Sequence, residues 1–365
     1  MKLIIAEKPS VGRDIAKVLG ALSNNNGYCE GSGYICTWAF GHLVSLYDCS
    51  DYKEEWKSWK SIPVIPTKFK IKLNSSSGVK EQMEVIKKLI NRDDVTTIVC
   101  ATDAGREGEL IFRHIYNYLR CKKPIERLWI NSMVEEDIKK GFENLEDGDS
   151  DKYINLYECA YAREQADWLV GINMTRCFSN MYSAYGEKPL SIGRVQTLTL
   201  KMIVDREKEI SSFVRNYYYK AQIHYDDIVA EYDVKFENRD EAESIVRAVD
   251  GTCSIIQSVK REIKRKKAPM LFDITLLQKE CNKRLGLNAK NTLDVAQSLY
   301  EKKLITYPRT DSKFLNASME IEARNLAEQI CSQRDINVTI NTKAVIDDTK
   351  VSDHHAIIPT VKALH

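Results

Sequence analysis

The ten cysteines of this chain, at positions 29, 36, 49, 100, 121, 159, 177, 253, 281 and 331, never form a Cys-x-x-Cys pair. That scatter offers neither a zinc ribbon nor a spaced disulfide framework, and it suits a reducing compartment. No run of about 18 apolar residues occurs, and the start Met1-Lys2-Leu3-Ile4-Ile5-Ala6 reaches Glu7 and Lys8 before a signal-peptide core could form. These absences predict a cytoplasmic chain that does not span a membrane. Excess charge is missing too: 54 basic against 52 acidic residues leave a formal +2, so any surface that binds a polyanion must be local. There is no Gly-x-x-x-x-Gly-Lys-Ser/Thr phosphate loop, which speaks against a nucleotide-driven reaction. Internal repeats and low-complexity tails are absent as well.

What remains is a globular composition, 43% hydrophobic and 29% charged over 365 residues, long enough for two or three cores. Residues 1–150 alternate short apolar runs (Leu3 to Ala6, Thr97 to Ala101) with helical patterns (Val11 to Leu19, Glu107 to Leu119), which predicts a parallel sheet with helices on both faces. Ligands of such sheets sit beyond the carboxyl ends of the strands, where Glu7 and Asp103 both fall. Residues 151–212 read as helical, with a long final helix over Arg194 to Ile210. Residues 213–268 carry strand-like alternation such as Tyr217 to Ile223 and end in the basic run Lys260 to Lys267, either a solvated strand or a track for a phosphate backbone. From 269 to 365 the pattern is helical again and contains Tyr307.

Two stretches carry chemistry. In Ala101-Thr102-Asp103-Ala104-Gly105-Arg106-Glu107-Gly108-Glu109, Asp103 and Glu107 are four apart and would share a face if a helix begins near Gly105. Such a cluster either offers oxygen ligands to a hard divalent cation or merely complements a helix dipole. Its two glycines let the backbone approach a phosphate closely. In Leu304-Ile305-Thr306-Tyr307-Pro308-Arg309-Thr310-Asp311-Ser312, a tyrosine with an arginine two residues on suits attack on a phosphate. A free phenol has a pKa of about 10 and needs neighbours that stabilise phenolate. Arg309, on the same face if the segment is extended, can hold two phosphate oxygens.

Together with Glu7-Lys8-Pro9-Ser10, Ser191-Ile192-Gly193-Arg194-Val195-Gln196 and His354-His355-Ala356-Ile357-Ile358-Pro359-Thr360, these stretches resemble, in order, the motifs of type IA DNA topoisomerases, of which the bacterial topoisomerase III branch is most similar. The resemblance runs the length of the chain. It implies an α/β plus α architecture: a TOPRIM metal-binding domain over 1–150, the first segment of a helical DNA-binding domain over 151–212, the first segment of a β-rich arch over 213–268, and an incomplete tyrosine-bearing helical domain over 269–365. Members of the family continue well past the His-His-Ala-Ile-Ile-Pro-Thr motif, so the chain is expected to be an amino-terminal portion.

The resemblance also assigns roles. Tyr307 is the nucleophile that forms a 5′-phosphotyrosine, Arg309 grips the phosphate, and one of Glu7 and Lys8 protonates the leaving 3′-oxygen while Lys8 offsets phosphate charge. His354 donates a hydrogen bond near the scissile phosphate and His355 is structural; two adjacent histidines point apart in an extended strand and make a poor chelate. Mg²⁺ is the implied cofactor, with Glu7, Asp103 and Glu107 as ligands, because Gly105 stands where the family's Asp-x-Asp-x-Glu pattern has its middle carboxylate. Arg163 meets DNA with Asp167 orienting it, although an i, i+4 pair also reads as a surface ion pair worth about 0.3–0.5 kcal/mol. Ser191, Arg194 and Gln196 hold a strand phosphate at a helix start, and Trp168 and Arg176 line a single-strand groove, Trp168 reading equally as core. The implied partner is single-stranded or negatively supercoiled DNA in a nucleoid-associated setting, with a helicase as a candidate collaborator. The implied activity is ATP-independent strand cleavage, passage and religation. Its rivals are an inactive fragment that only binds single-stranded DNA, and a TOPRIM nuclease or primase relative with no use for Tyr307.

Overall fold

A computed structural model of the chain describes residues 1–130, 133, 135–183, 188–253, 255–351 and 354–364. It divides into two compact units, residues 1–193 with 269–365, and residues 194–268.

The first unit starts with β1 (Lys2–Ala6) and α1 (Pro9–Leu19), then β2 (Ser23–Asn25), β3 (Tyr28–Gly31), β4 (Tyr34–Trp38) and β5 (Val44–Leu46). After α2 (Cys49–Tyr52) come β6 (Ile71–Leu73), α3 (Val79–Ile90), β7 (Thr97–Ala101), α4 (Arg106–Tyr118), β8 (Ile125–Arg127), α5 (Glu135–Glu143), β9 (Glu146–Asp147) and the 32-residue α6 (Asp151–Tyr182). One sheet runs in the order β2-β3-β4-β1-β7-β8-β9, with β4, β1, β7 and β8 parallel and the flanking strands antiparallel. The β1–β7 register pairs Ala6 with Ala101, so the chain leaves both strands at the same edge.

Period-2 alternation divides the core. Leu3 and Ile5 face one layer with Met83, Ile86, Phe112 and Ile115 of α3 and α4, while Ile4 and Ala6 face the other with Val11, Ile15 and Ile138 of α1 and α5. Both faces of the central strands are thus buried, as their unbroken apolar runs require. Gly20 closes α1 in the left-handed conformation, φ 76°, where a side chain would be strained.

The second unit contains α7 (Gln196–Ser211), the hairpin β10 (Gln222–Tyr225) and β11 (Ile228–Glu231), and α8 (Arg239–Val249). Strand structure here is much shorter than the alternation predicts: Tyr217 and Tyr218 lie outside the hairpin, and Tyr219 makes only an isolated bridge with Phe236. The hairpin residues are all exposed on both faces, so the hairpin has no packed apolar layer to draw further strands into a sheet.

The chain returns to the first unit with α9 (Ile274–Leu285), α10 (Ala289–Glu301) and α11 (Glu320–Gln333). Side-chain caps from Asp273 and Asn288 start α9 and α10. The link from α10 to α11 is laced to residues 354–360: Thr306 N–H donates to the Ile358 carbonyl at 3.0 Å, Thr360 N–H to that of Leu304 at 2.9 Å, and Thr310 Oγ1 to that of His354 at 2.7 Å. The tyrosine stretch and the histidine stretch are therefore one structural element.

Candidate active site

Glu7 and Lys8 follow β1 directly, and Asp103 follows β7 by two residues, so the parallel register brings all three together. The Asp103 backbone N–H donates to Glu7 Oε2 at 3.2 Å. Lys8 Nζ lies 3.4 Å from Glu7 Oε1 and 3.6 Å from Asp103 Oδ2. The laced segment contributes the opposite wall. His354 Nε2 is 3.4 Å from Asp103 Oδ2, the Tyr307 and His354 ring centroids are 4.4 Å apart, and Lys8 Nζ sits 4.5 Å from the Tyr307 ring centroid. Tyr300, on α10, packs edge-on against Tyr307 at 5.2 Å. The space between these walls is a cavity of about 450 Å³.

The electrostatics separate the two carboxyls. Burial, reinforced by the negative charge of Asp103, holds Glu7 above the usual carboxylate range despite Lys8. Burial acts on Asp103 in the same direction but is outweighed by His354 and Lys8, which hold it below that range. For Lys8, burial is overcome by the charges of Asp103 and Glu7, and the ammonium is stabilised. The cluster therefore places a proton-retaining carboxyl, a carboxylate and a cation around one phenol.

Several site residues predicted from the sequence stand elsewhere. Asp103 precedes α4 rather than sharing a helix face with Glu107, because the helix begins at Arg106. Glu107 turns instead toward α6, where Arg163 Nη1 reaches its Oε1 at 3.0 Å and Asp167 approaches Arg163 at 3.8 Å. Among the described residues no three acidic, histidine or cysteine side chains gather as a metal cage. Gly108 packs against the strand end, where a Cβ would lie 2.2 Å from the Asp103 carbonyl oxygen.

Arg176 is not a groove residue. It is 4% exposed and donates to the carbonyls of Trp56, Ser58 and Ser61. Trp168 is packed edge-on against Tyr52 and Phe69 and donates to the Tyr47 carbonyl at 3.0 Å, the core reading. Arg309 and Ser191 are exposed, and in the second unit Arg194 and Gln196 are exposed at the start of α7. His355 Nδ1–H donates to the Ala356 carbonyl oxygen, 2.9 Å away. Sequence reading missed Tyr300, whose seven-residue spacing from Tyr307 has no local signature, and the buried Arg127 and Glu109 beneath Asp103.

A second titratable pair lies at the α4–α6 seam. His114 Nε2 comes within 3.4 Å of Glu164 Oε2, yet neither of these atoms has a protein hydrogen-bond partner among the described residues. Burial pushes His114 down to about 4. Burial, with help from Glu107, pushes Glu164 up to about 7. A depressed histidine contributes stability that is present above its unfolded pKa of about 6.5 and is lost as pH falls toward the folded value; a raised carboxyl contributes stability that is present below about 4.5 and lost as pH rises through the folded value. Between about pH 4.5 and 6.5 the two slopes oppose each other, each at most about 1.4 kcal/mol per pH unit. The thermal stability of Glu164→Gln is therefore expected to fall as pH is lowered from about 6.5 to about 5, and that of His114→Gln to rise. Melting curves of both variants that parallel the wild type would refute this.

Among the described residues no helix is long and apolar enough to cross a membrane. The family profile described as DNA topoisomerase matches residues 151–365, and that described as Toprim domain matches residues 2–133. Toprim domains generally bind divalent metal ions. The chain is 42% identical over 379 aligned positions to DNA topoisomerase 3 of Bacillus subtilis, covering 99% of this chain and 51% of that protein. It is 41% identical over 380 positions to DNA topoisomerase 3 of Bacillus licheniformis, with the same coverages, 99% and 51%. A solved structure of full-length topoisomerase I from Thermotoga maritima aligns with a TM-score of 0.63 at 25% identity, covering 98% of this chain and 55% of that one. The chain thus spans about half the length of the curated relatives it matches. A profile matched over more than half of its residues, preceded by a Toprim match and joined by relatives that are topoisomerases 3, establishes that the chain belongs to the type IA DNA topoisomerases.

Proposed function

We propose that Tyr307 cleaves one DNA strand by attacking a phosphodiester, forming a 5′-phosphotyrosine, and that the break is religated after another strand has passed, relaxing negative supercoils and separating linked DNA without ATP. The observation that carries this reading is the convergence of Tyr307 with Lys8, Asp103 and His354 in one cavity: Lys8 Nζ lies 4.5 Å and the His354 ring 4.4 Å from the Tyr307 ring centroid, and His354 Nε2 is 3.4 Å from Asp103 Oδ2.

The exchange balances without a cofactor nucleotide. A bond forms between the phenolic oxygen and phosphorus, the bond to the 3′-oxygen breaks, the phenol loses its proton and the 3′-oxygen gains one. Lys8 offsets the charge that builds on the phosphate and the phenolate. Either Glu7 or Lys8 supplies the proton to the 3′-oxygen, and Glu7 is held in a proton-retaining environment. His354, oriented by Asp103, donates to a phosphate oxygen, and Arg309 adds a planar fork from the exposed side.

The donor chemistry at the strand ends suits Mg²⁺, a hard cation that binds through one or two carboxylates and completes its shell with phosphate oxygens and water. Asp103 and Glu7 are the residues that would hold it, with Glu107 on the first turn of α4 in its pairing with Arg163. The ion would polarise the phosphate and anchor the strand. Arg163, Asp167, Ser191, Arg194 and Gln196 are proposed to guide single-stranded DNA, in a cytoplasmic, nucleoid-associated setting with a helicase as collaborator.

The test is to mix the 365-residue chain with single-stranded DNA labelled at a base, with and without Mg²⁺, denature it, and map the labelled peptide. DNA linked through its 5′ end to the Tyr307 peptide is the expected result. Strand binding without an adduct would replace this reading with that of a binding fragment, and free cleaved DNA without linkage would favour metal-only hydrolysis.

A further inference from the structure

We infer that Arg127, a residue that no sequence motif marks, is a positioning residue for Asp103, acting with its buried partner Glu109. The inference rests on the reading of Asp103 as an active-site carboxylate.

Arg127 and Glu109 are both fully buried, at 0% exposure. Such a pair is a poor way to gain stability, since apolar side chains of similar volume often serve as well. Its geometry points to another use. Arg127 Nη1 donates to the carbonyls of Cys100, Thr102 and Leu128 at 3.1, 2.9 and 2.6 Å, and Nη2 to the carbonyl of Asp103 at 2.8 Å. The β7–β8 ladder ends at the Cys100–Arg127 pair. Beyond that point the backbone of Thr102 and Asp103 has no strand partner on the β8 side, and the guanidinium takes over where the ladder stops.

The Asp103 residue is consequently gripped on three sides. Its N–H is held by Glu7 Oε2 at 3.2 Å, its carbonyl by Arg127 at 2.8 Å, and Gly108 packs so closely that a Cβ would come within 2.2 Å of that carbonyl oxygen. Glu109, one residue further along α4, fixes the guanidinium itself: its Oε2 accepts from Arg127 Nε at 3.1 Å, and its Oε1 accepts from Arg113 Nε at 3.2 Å. A lysine at 127 could satisfy one or two of these carbonyls but lacks the planar fork that spans them. Arg127 therefore determines where the Asp103 carboxylate stands relative to Lys8 and His354 without touching either.

The experiment compares the full chain with Arg127→Lys, Glu109→Gln and a distant core variant, Leu89→Ala, as a control for general destabilisation. Amide hydrogen exchange is read at residues 102–105, and Mn²⁺ affinity is measured by titration in the absence of DNA. Arg127→Lys is expected to lose protection at the Asp103 and Gly105 amides by roughly tenfold or more while residues 98–100 stay protected, and to bind Mn²⁺ about 10–100-fold more weakly. Leu89→Ala should change neither selectively. Should Arg127→Lys fail to fold, Glu109→Gln, which keeps the shape and frees the guanidinium, is expected to show the same local loosening. Native protection at Asp103 in a folded Arg127→Lys or Glu109→Gln chain overturns the inference. An Asp103→Asn chain that binds Mn²⁺ as well as the wild type would instead remove Asp103 as a metal ligand, and the exchange measurement would still decide whether Arg127 holds its backbone.

Discussion

Replacing Tyr307 with phenylalanine is expected to abolish the covalent adduct, by on the order of 10³-fold or more, while strand binding stays within about twofold. The substitution is informative because the ring has structural work that phenylalanine can do. Its face meets His354 at 4.4 Å, its edge contact with Tyr300 spans 5.2 Å, and Lys8 lies 4.5 Å from its centroid. Phenylalanine preserves all three contacts and removes only the hydroxyl, so a loss of adduct cannot be ascribed to collapse of the cavity. Tyr300 is the internal control: it lines the same cavity, and Tyr300→Phe should retain the adduct. The reading is overturned by an adduct that persists in Tyr307→Phe or maps to Tyr300. The quantity to measure is labelled DNA retained on protein after denaturation, normalised to strand binding by the same preparation.

The parts of this site visible in the sequence are those fixed by local pattern. Two short apolar runs followed by helical periodicity set β1 with α1 and β7 with α4, and the parallel register then forces Glu7 and Asp103 to one edge. The tyrosine and histidine stretches could be named as motifs, but their direct pairing, through Thr306, Thr310 and Thr360, is a long-range fact with no periodicity to announce it. Arg127 illustrates the limit most clearly. In Glu126-Arg127-Leu128-Trp129 it reads as the polar face of a strand, and only the tertiary fold reveals that the face is covered by α4 with Glu109 waiting beneath it. The groove readings of Arg176 and Trp168, the latter set beside a core reading from the start, give way because a helix with residues suited to DNA can turn them inward: α6 spends both on carbonyls of the 47–61 segment. Glu107 sits at the right spacing for a metal ligand, and α4 does begin next to Gly105, but spacing could not foresee that Arg163 would take its carboxylate.

Lys8→Met is expected to reduce adduct formation by on the order of 10²–10³-fold, the effect of removing one preorganised charge beside the reacting groups. Lys8 pairs with both strand-end carboxyls, at 3.4 Å from Glu7 and 3.6 Å from Asp103, and it also lies 4.5 Å from the Tyr307 ring centroid. Its removal deprives both carboxyls of a charge that lowers their pKa, so both hold protons to higher pH. For Asp103, whose folded pKa is depressed, the associated stability exists above its unfolded pKa and disappears as pH falls; without Lys8 that loss begins at higher pH. The acid limb of adduct formation should accordingly move upward in Lys8→Met, a shift that a variant merely weakened in strand binding would not show. Lys8→Arg should recover part of the rate and most of the pH profile, because it restores charge but not the compact ammonium that fits between two carboxyls. If raising Mg²⁺ rescues Lys8→Met completely, Lys8 acts only by neutralising charge. Incomplete rescue places it at the reacting phosphate, and an adduct rate within about threefold of wild type with an unmoved acid limb would make it a bystander.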